Sequence, residues 1–469
     1  MNRCLRNAYL LLTLLPSPAL ARDLYVGVTV VDPATETVHP DSYILVEDGR
    51  IIDLGRGKPA NIADATLHDF KGLYALPGLI DTHAHVTLGP VRVVTDGPPH
   101  LEAPVRTDII AHNARMLLSF GVTTVRDPGG SLEATRNYSA QVASGALLGP
   151  EALHAGELID RSPVPFVGLI AVPTAEFSIA DIVRQQALDG ARYAKFYTNL
   201  TVADLSEGIS AARKNGLKTI AHLGDVSWTR AAELRIDSLV HMMPVSPDLL
   251  PETTRASYVA NRRPGSFAFF EWYEAADLDA PEIHTMIATL ARRHVEVDAT
   301  LIAFEPAFWG DHPERLNRDL ALVHPDMIAN WRNLFRFDLG WKVADYQRAR
   351  AVWPKVLELT RRMYEAGVPM TIGTDMANPY VAPGLSVSQE MALHQQAGIP
   401  AWAVLRMATS DAARLLGLGD RIGKLRKGYE ADIVFIAADP RRDLASVADV
   451  RAVLNNGALL SPEQLRADY

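Results

Sequence analysis

At 469 residues, 48% hydrophobic and 22% charged, the chain is long enough for a full α/β barrel plus a smaller domain, with an ordinary globular balance. A formal charge of −9, with no basic run and no interleaved aromatic stripe, excludes a dedicated nucleic-acid binder. Cys4 is the single cysteine, so the chain beyond it has no disulfide, no thiolate metal site and no cysteine nucleophile.

Residues 1–21 read as a cleaved signal peptide. Arg3 and Arg6 form a positive start, Ala8 to Leu15 a short apolar run, and Ala19-Leu20-Ala21 places small residues at a cleavage site. A membrane anchor or a first strand is the alternative, but the apolar run is too short to span a bilayer as a helix. Cys4 precedes the apolar run, where a lipoprotein cysteine would follow it. The expected protein is therefore secreted or periplasmic, with no stable membrane anchor.

From Leu24 to Phe70, short β-branched runs alternate with turns, and Asp48-Gly49 marks a tight hairpin. The far end repeats this grammar in KLRKGYEADIVFIAADP and VADVRAVLNNGALL. These two ends, residues 22–72 and 420–469, predict one small β-sandwich domain. Between them, over residues 73–419, apolar strand-like runs alternate with amphipathic helix-like segments.

Eight candidate strands end near His85, Asp127, Leu158, Tyr197, His222, His241, Leu301 and Asp375. Eight βα units predict a (β/α)8 TIM barrel, with a doubly wound open sheet as the other arrangement. Two aromatic-rich insertions, near 244–280 and 303–345, follow strands six and seven. They serve as lids or substrate walls, or else cover the rim or form a subunit contact.

The chemistry concentrates at strand ends. In Asp81-Thr82-His83-Ala84-His85 the two histidines are two residues apart, so on a strand both imidazoles face one side and can reach one ion. Lys195 ends strand four between Tyr193, Ala194, Phe196 and Tyr197, flanks unlike those of a solvated lysine. His222 ends strand five, His241 strand six and Asp375 strand eight. Tyr197 shares the parity of Lys195 and is either an oxyanion donor or a packing residue. Arg126 either holds a substrate carboxylate or forms a structural ion pair. His112, His154, His284, His294 and His394 are placed on helices or away from strand ends. Glu390 and His394, four apart, are placed on a surface helix.

LPGLIDTHAH resembles the opening motif of the amidohydrolase superfamily, in the branch of imidazolonepropionase and the secreted or periplasmic Xaa-Pro and Xaa-Arg dipeptidases. GVTTVRDPGG, SGALLGPEALHAGELI and RIGKLRKGYEADIVFIAADP extend the likeness over nearly the whole chain beyond residue 21. The resemblance implies two divalent cations. His83, His85 and Asp375 would hold the buried ion, His222 and His241 the exposed one, and Lys195 would bridge them as a carbamate formed with CO2. Nitrogen and oxygen ligands suit zinc, with manganese, iron and cobalt open. Such ions lower the pKa of water from about 15.7 towards 7, and Asp375 would carry its proton to the departing amine.

Mononuclear deaminases of that superfamily keep a glutamate shortly after the strand-five histidine. Here Leu223, Gly224 and Asp225 follow His222. The expectation is hydrolysis of an amide bond in a small molecule, a dipeptide or N-acyl amino acid. A cyclic amide, lactone or phosphoester is the nearest alternative, and a non-catalytic binding protein a remoter one. A homo-oligomer is left open.

Overall fold

The computed structural model describes residues 22–59, 64–96, 99–164 and 166–467. The expected signal peptide and Cys4 lie outside the described residues.

Eight parallel strands form the centre: Leu79–Asp81, Val122–Asp127, Glu151–His154, Tyr193–Phe196, Lys218–Ala221, Ser238–Val240, Glu296–Asp298 and Met370–Thr371. Neighbours pair in parallel, and the bridges Ala155–Tyr193 and Ala84–Met376 close the ring. Strands such as VTTVRD and YAKF are buried at every position. Side chains fill the barrel on one face and meet helices on the other, so apolar runs replace alternation. The helix Val202–Lys214 shows how each return is built. A Thr201–Asp204 capping box starts it, Leu205, Ile209 and Ala212 form its buried stripe, and Gly216 at φ +71° ends it.

The motif glycine Gly78 has a packing reason. A Cβ there would sit 2.2 Å from Thr123 Oγ1, so only glycine lets the first barrel strand pass the second this closely.

Both chain ends meet in one hydrogen-bonded sheet of eight strands. Tyr74–Pro77 pairs with Ile433–Ile436, so this sheet reaches past residue 72 to Pro77. Its long first strand, Arg22–Asp32, pairs with Ala65–Asp69 before Gly27 and with Tyr74–Pro77 after it. Gly27 lies at φ +75° within the first of two register shifts, Val26/Val28 and Val28/Val30, the kind of irregularity that lets a strand turn a corner and change partner. Tyr25, Val28, Ile44, Ile433 and Phe435 pack in the core of this domain.

Three expectations are corrected. The seventh strand ends at Asp298, and Leu301 opens a helix to Phe308. That helix starts there because Glu390 accepts hydrogen bonds from Leu301 N (2.9 Å) and Ile302 N (2.7 Å). Glu390 and His394 are therefore fully buried rather than on a surface helix. His154 ends the third strand, whose line resumes at Leu158–Ile159, yet it does not line the cavity described below. The insertions form helices such as Glu252–Asn261 and Pro325–Asn333. In the first insertion Trp272 Nε1 donates to Ser246 O and Tyr273 Oη to Met242 O, fastening it to the chain after strand six. Among the described residues no helix is long and apolar enough to cross a membrane.

Candidate active site

A cavity of about 1220 Å³ opens at the C-terminal ends of the barrel strands, the face on which barrel enzymes carry their sites. His83, His85, Lys195, Tyr197, His222, His241 and Asp375 all line it. Seven residues chosen from strand ends thus meet in one space.

Asp375 is the centre. Its Oδ1 lies 3.3 Å from His83 Nε2 and 3.2 Å from His85 Nε2, and its Oδ2 lies 3.8 Å from His241 Nδ1. Burial pushes this carboxyl up, but the facing His241 and His83 outweigh it and hold it well below the usual range. His241 and Asp375 both take left-handed backbone, at φ +65° and +60°. That conformation is strained for residues with a Cβ, and here it recurs where the chain leaves strands six and eight.

The imidazoles are held from behind. His85 Nδ1 lies 2.7 Å from Gly129 O, an acceptor, so Nδ1 carries the proton and the Nε2 lone pair faces Asp375. His241 Nδ1 bonds Thr300 Oγ1 at 2.8 Å, leaving Nε2 free for an ion. His83 Nδ1 has no hydrogen-bond partner among the described residues and lies 3.7 Å from Asp298 Oδ2. The His222 ring sits 4.5 Å from that of His241 and 5.0 Å from that of Tyr197. Burial, then the Lys195 charge, drops the His222 pKa to about 3, so the ring is a neutral donor.

Lys195 is 2% exposed, and its Nζ is without a hydrogen-bond partner among the described residues. Burial lowers its pKa to about 7 against the pull of Asp375. A buried, unpartnered amine is costly unless something else satisfies it.

Asp298, the last residue of strand seven, and Thr300, just before the following helix, are not marked by the sequence. Asp298 is fully buried and accepts from Thr82 Oγ1 at 2.9 Å. Asp81 ties strand one to strand eight, accepting from His83 N, Thr374 N and Thr374 Oγ1. Gly373 must be glycine, since a Cβ would lie 2.2 Å from Asp298 Oδ2. Gly373→Ala is therefore expected to displace Asp298 from behind His83 and lower catalytic efficiency about 10–100-fold, as loss of a ligand-orienting group does. Steady-state kinetics beside a folding control check this.

Arg126 does not face the cavity. It is 1% exposed, with Nε donating to Thr82 O (2.6 Å), Nη1 to Glu296 (2.8 Å) and Nη2 to Asp298 (3.4 Å). It is the structural pair of the two readings.

His83, His241 and Asp375 offer ligand atoms within 4.8 Å of one another, a candidate metal site. The amidohydrolase family model matches residues 310–460, which include Asp375 and the return into the terminal sheet. Nearly the whole chain superposes on solved members of this architecture. A Xaa-Pro dipeptidase with bound methionine gives a TM-score of 0.67 at 21% identity, covering 94% of this chain and 100% of that one. The bottromycin amidohydrolase gives 0.69 at 22%, covering 95% and 88%. The fold is the one these solved structures share, and residues 310–460 match the amidohydrolase family.

The curated relatives carry another name. A 5-methylthioadenosine/S-adenosylhomocysteine deaminase of Syntrophomonas wolfei is 32% identical over 120 residues, 21% of this chain and only 27% of that protein. The Bacillus cereus protein of the same name is 22% identical over 431 residues, 89% of this chain and 85% of that one. The amidohydrolase family uses divalent metals, and the residues here fit them. The Nε2 atoms of His83 and His85 face the Asp375 carboxylate at 3.3 and 3.2 Å, His241 offers a ligand atom within 4.8 Å of those of His83 and Asp375, and the buried Lys195 Nζ has no protein partner among the described residues.

Proposed function

We propose that this protein is a binuclear metal-dependent hydrolase that cleaves an amide bond in a small molecule, a dipeptide or an N-acyl amino acid. The observation carrying the reading is the buried, unpartnered Lys195 amine lining the same cavity as His83, His85, His222, His241 and Asp375. His83, His85 and Asp375 would hold one ion, His222 and His241 the other, and carboxylated Lys195 both. Zinc suits this nitrogen and oxygen set. Divalent ions held there polarise a carbonyl and lower the pKa of water towards about 7.

The chain's own residues do the rest. The imidazoles fix the ring of donors, and Asp375 takes the proton of the attacking water on a carboxylate oxygen and delivers it to the leaving nitrogen. Tyr197, whose phenol burial keeps protonated, donates its Oη proton to the developing oxyanion. The names of the curated relatives favour a second reading, deamination of a purine nucleoside. Against it stand Lys195 and the sequence Leu223-Gly224-Asp225 after His222.

Lys195→Ala is expected to lose activity about 10²–10³-fold, the scale on which one electrostatic group at a reacting centre acts. Short carboxylates such as formate or acetate then restore part of it, and protein supplied with ¹³C-bicarbonate shows a carbamate carbon that the variant lacks. Full activity of the variant without added carboxylate overturns the bridge. Ammonia released from aminopurine nucleosides, with no amide cleaved, overturns the reaction. The reading extends to an exported enzyme on the pattern of residues 1–21, and the mature protein is then expected to begin at Arg22 by N-terminal sequencing.

A further inference from the structure

The cavity has a second wall, built by the loops rather than the strand ends. Phe304, Phe269, Phe337, Phe335 and Phe166 all line it and form one chain of edge-to-face contacts. Ring centroids are 5.4 Å apart for Phe304–Phe269, 5.8 Å for Phe269–Phe337, 5.9 Å for Phe337–Phe335 and 5.9 Å for Phe335–Phe166. These rings come from three separate segments: the loop after strand three (Phe166), the first insertion (Phe269) and the second insertion with the helix that opens it (Phe304, Phe335 and Phe337). Phe269, Phe335, Phe337 and Phe166 are only half-buried, so part of each ring remains uncovered in a space lined by the others. Edge-to-face contact leaves ring faces and edges available to a further aromatic group.

The arginines that line the cavity are already matched. Arg262 pairs with Asp225, Arg263 with Glu271 and Asp345, Arg336 with Asp338, and Arg230 with Glu233. Three of these pairs use two guanidinium nitrogens or two carboxylates, geometry that a substrate carboxylate would have to break. An apolar group displaces only water from the phenylalanines.

We propose that the phenylalanine wall is the acyl subsite, and that it selects amides whose acyl part is a bulky, uncharged aromatic group over acetyl amides and over small charged dipeptides. This rests on the amide-hydrolase reading for its catalytic arm, but not for its binding arm. In the first arm, metal-loaded protein is given N-acetyl and N-(3-phenylpropanoyl) derivatives of the same amino acid, with glycyl dipeptides alongside. The arylacyl compound is expected to exceed the others about 100-fold in kcat/KM, within the range that even one methylene can set in an apolar pocket. Phe269→Ala and Phe337→Ala are expected to shrink that ratio at least fivefold.

In the second arm, calorimetry measures uncleavable ketomethylene analogues of the same two acyl compounds. The arylacyl analogue is expected to bind at least thirtyfold more tightly. If no amide is cleaved but this binding preference is present, the subsite stands and the reaction reading fails. Equal binding of acetyl and arylacyl analogues, or a dipeptide turned over as well as the arylacyl amide, overturns the subsite.

Discussion

Asp375→Asn is expected to lower kcat/KM for the best amide substrate about 10⁴-fold while leaving the fold intact. The substitution keeps the size of the side chain and the backbone hydrogen bond from Asp375 N to His83 O at 2.7 Å. What it removes is the negative charge facing three imidazoles at 3.2–3.8 Å. Two losses combine. An amide oxygen is a weaker ligand than a carboxylate, and an amide cannot accept and return a proton at neutral pH. The first loss appears as reduced metal content by atomic absorption. The second persists when the variant is saturated with metal, so both measurements are made together. A metal-replete variant within tenfold of the parent removes Asp375 from proton transfer.

Why this centre was legible while its support was not follows from the range of the interactions. His83 and His85 announce themselves because strand parity is a local rule, and Lys195 because its neighbours are apolar. Asp298 and Thr300 carried no such mark. The run VEVDATLIAF reads equally well as one long strand, and the break after Asp298 is set by Glu390, some ninety residues on. The same distance explains why Glu390 and His394 were misplaced on a surface. Four-residue spacing describes a helix face but not what covers it. Phe269 and Phe270 make the point within one insertion. One lines the cavity and the next is fully buried against Trp341, a choice that depends on the second insertion folding over the first.

Arg126 offers the largest expected stability effect. Its two readings in the sequence differ by what lies 170 residues away: Glu296, whose Oε2 accepts at 2.8 Å. Exposed pairs such as Arg230–Glu233 contribute about 0–1 kcal/mol, because water and salt screen them. Arg126 belongs to another regime. Its guanidinium and both carboxylates are almost wholly buried, and Glu296 also accepts from Thr371 Oγ1 while Asp298 accepts from Thr82 Oγ1. Arg126→Ala strands two negative charges inside the barrel and leaves Thr82 O without its donor. The expected cost is about 3–5 kcal/mol, read as a fall in the denaturation midpoint at fixed metal concentration. Replacing Arg126 and Glu296 together with leucine removes one of the stranded charges and is expected to cost less than Arg126→Ala alone. Activity should fall with stability in the single variant, because Asp298 lies 3.7 Å from His83 Nδ1 and loses the cation that fixes it. A single variant destabilised by less than 1 kcal/mol would mean that the barrel interior solvates Glu296 and Asp298 by some other route.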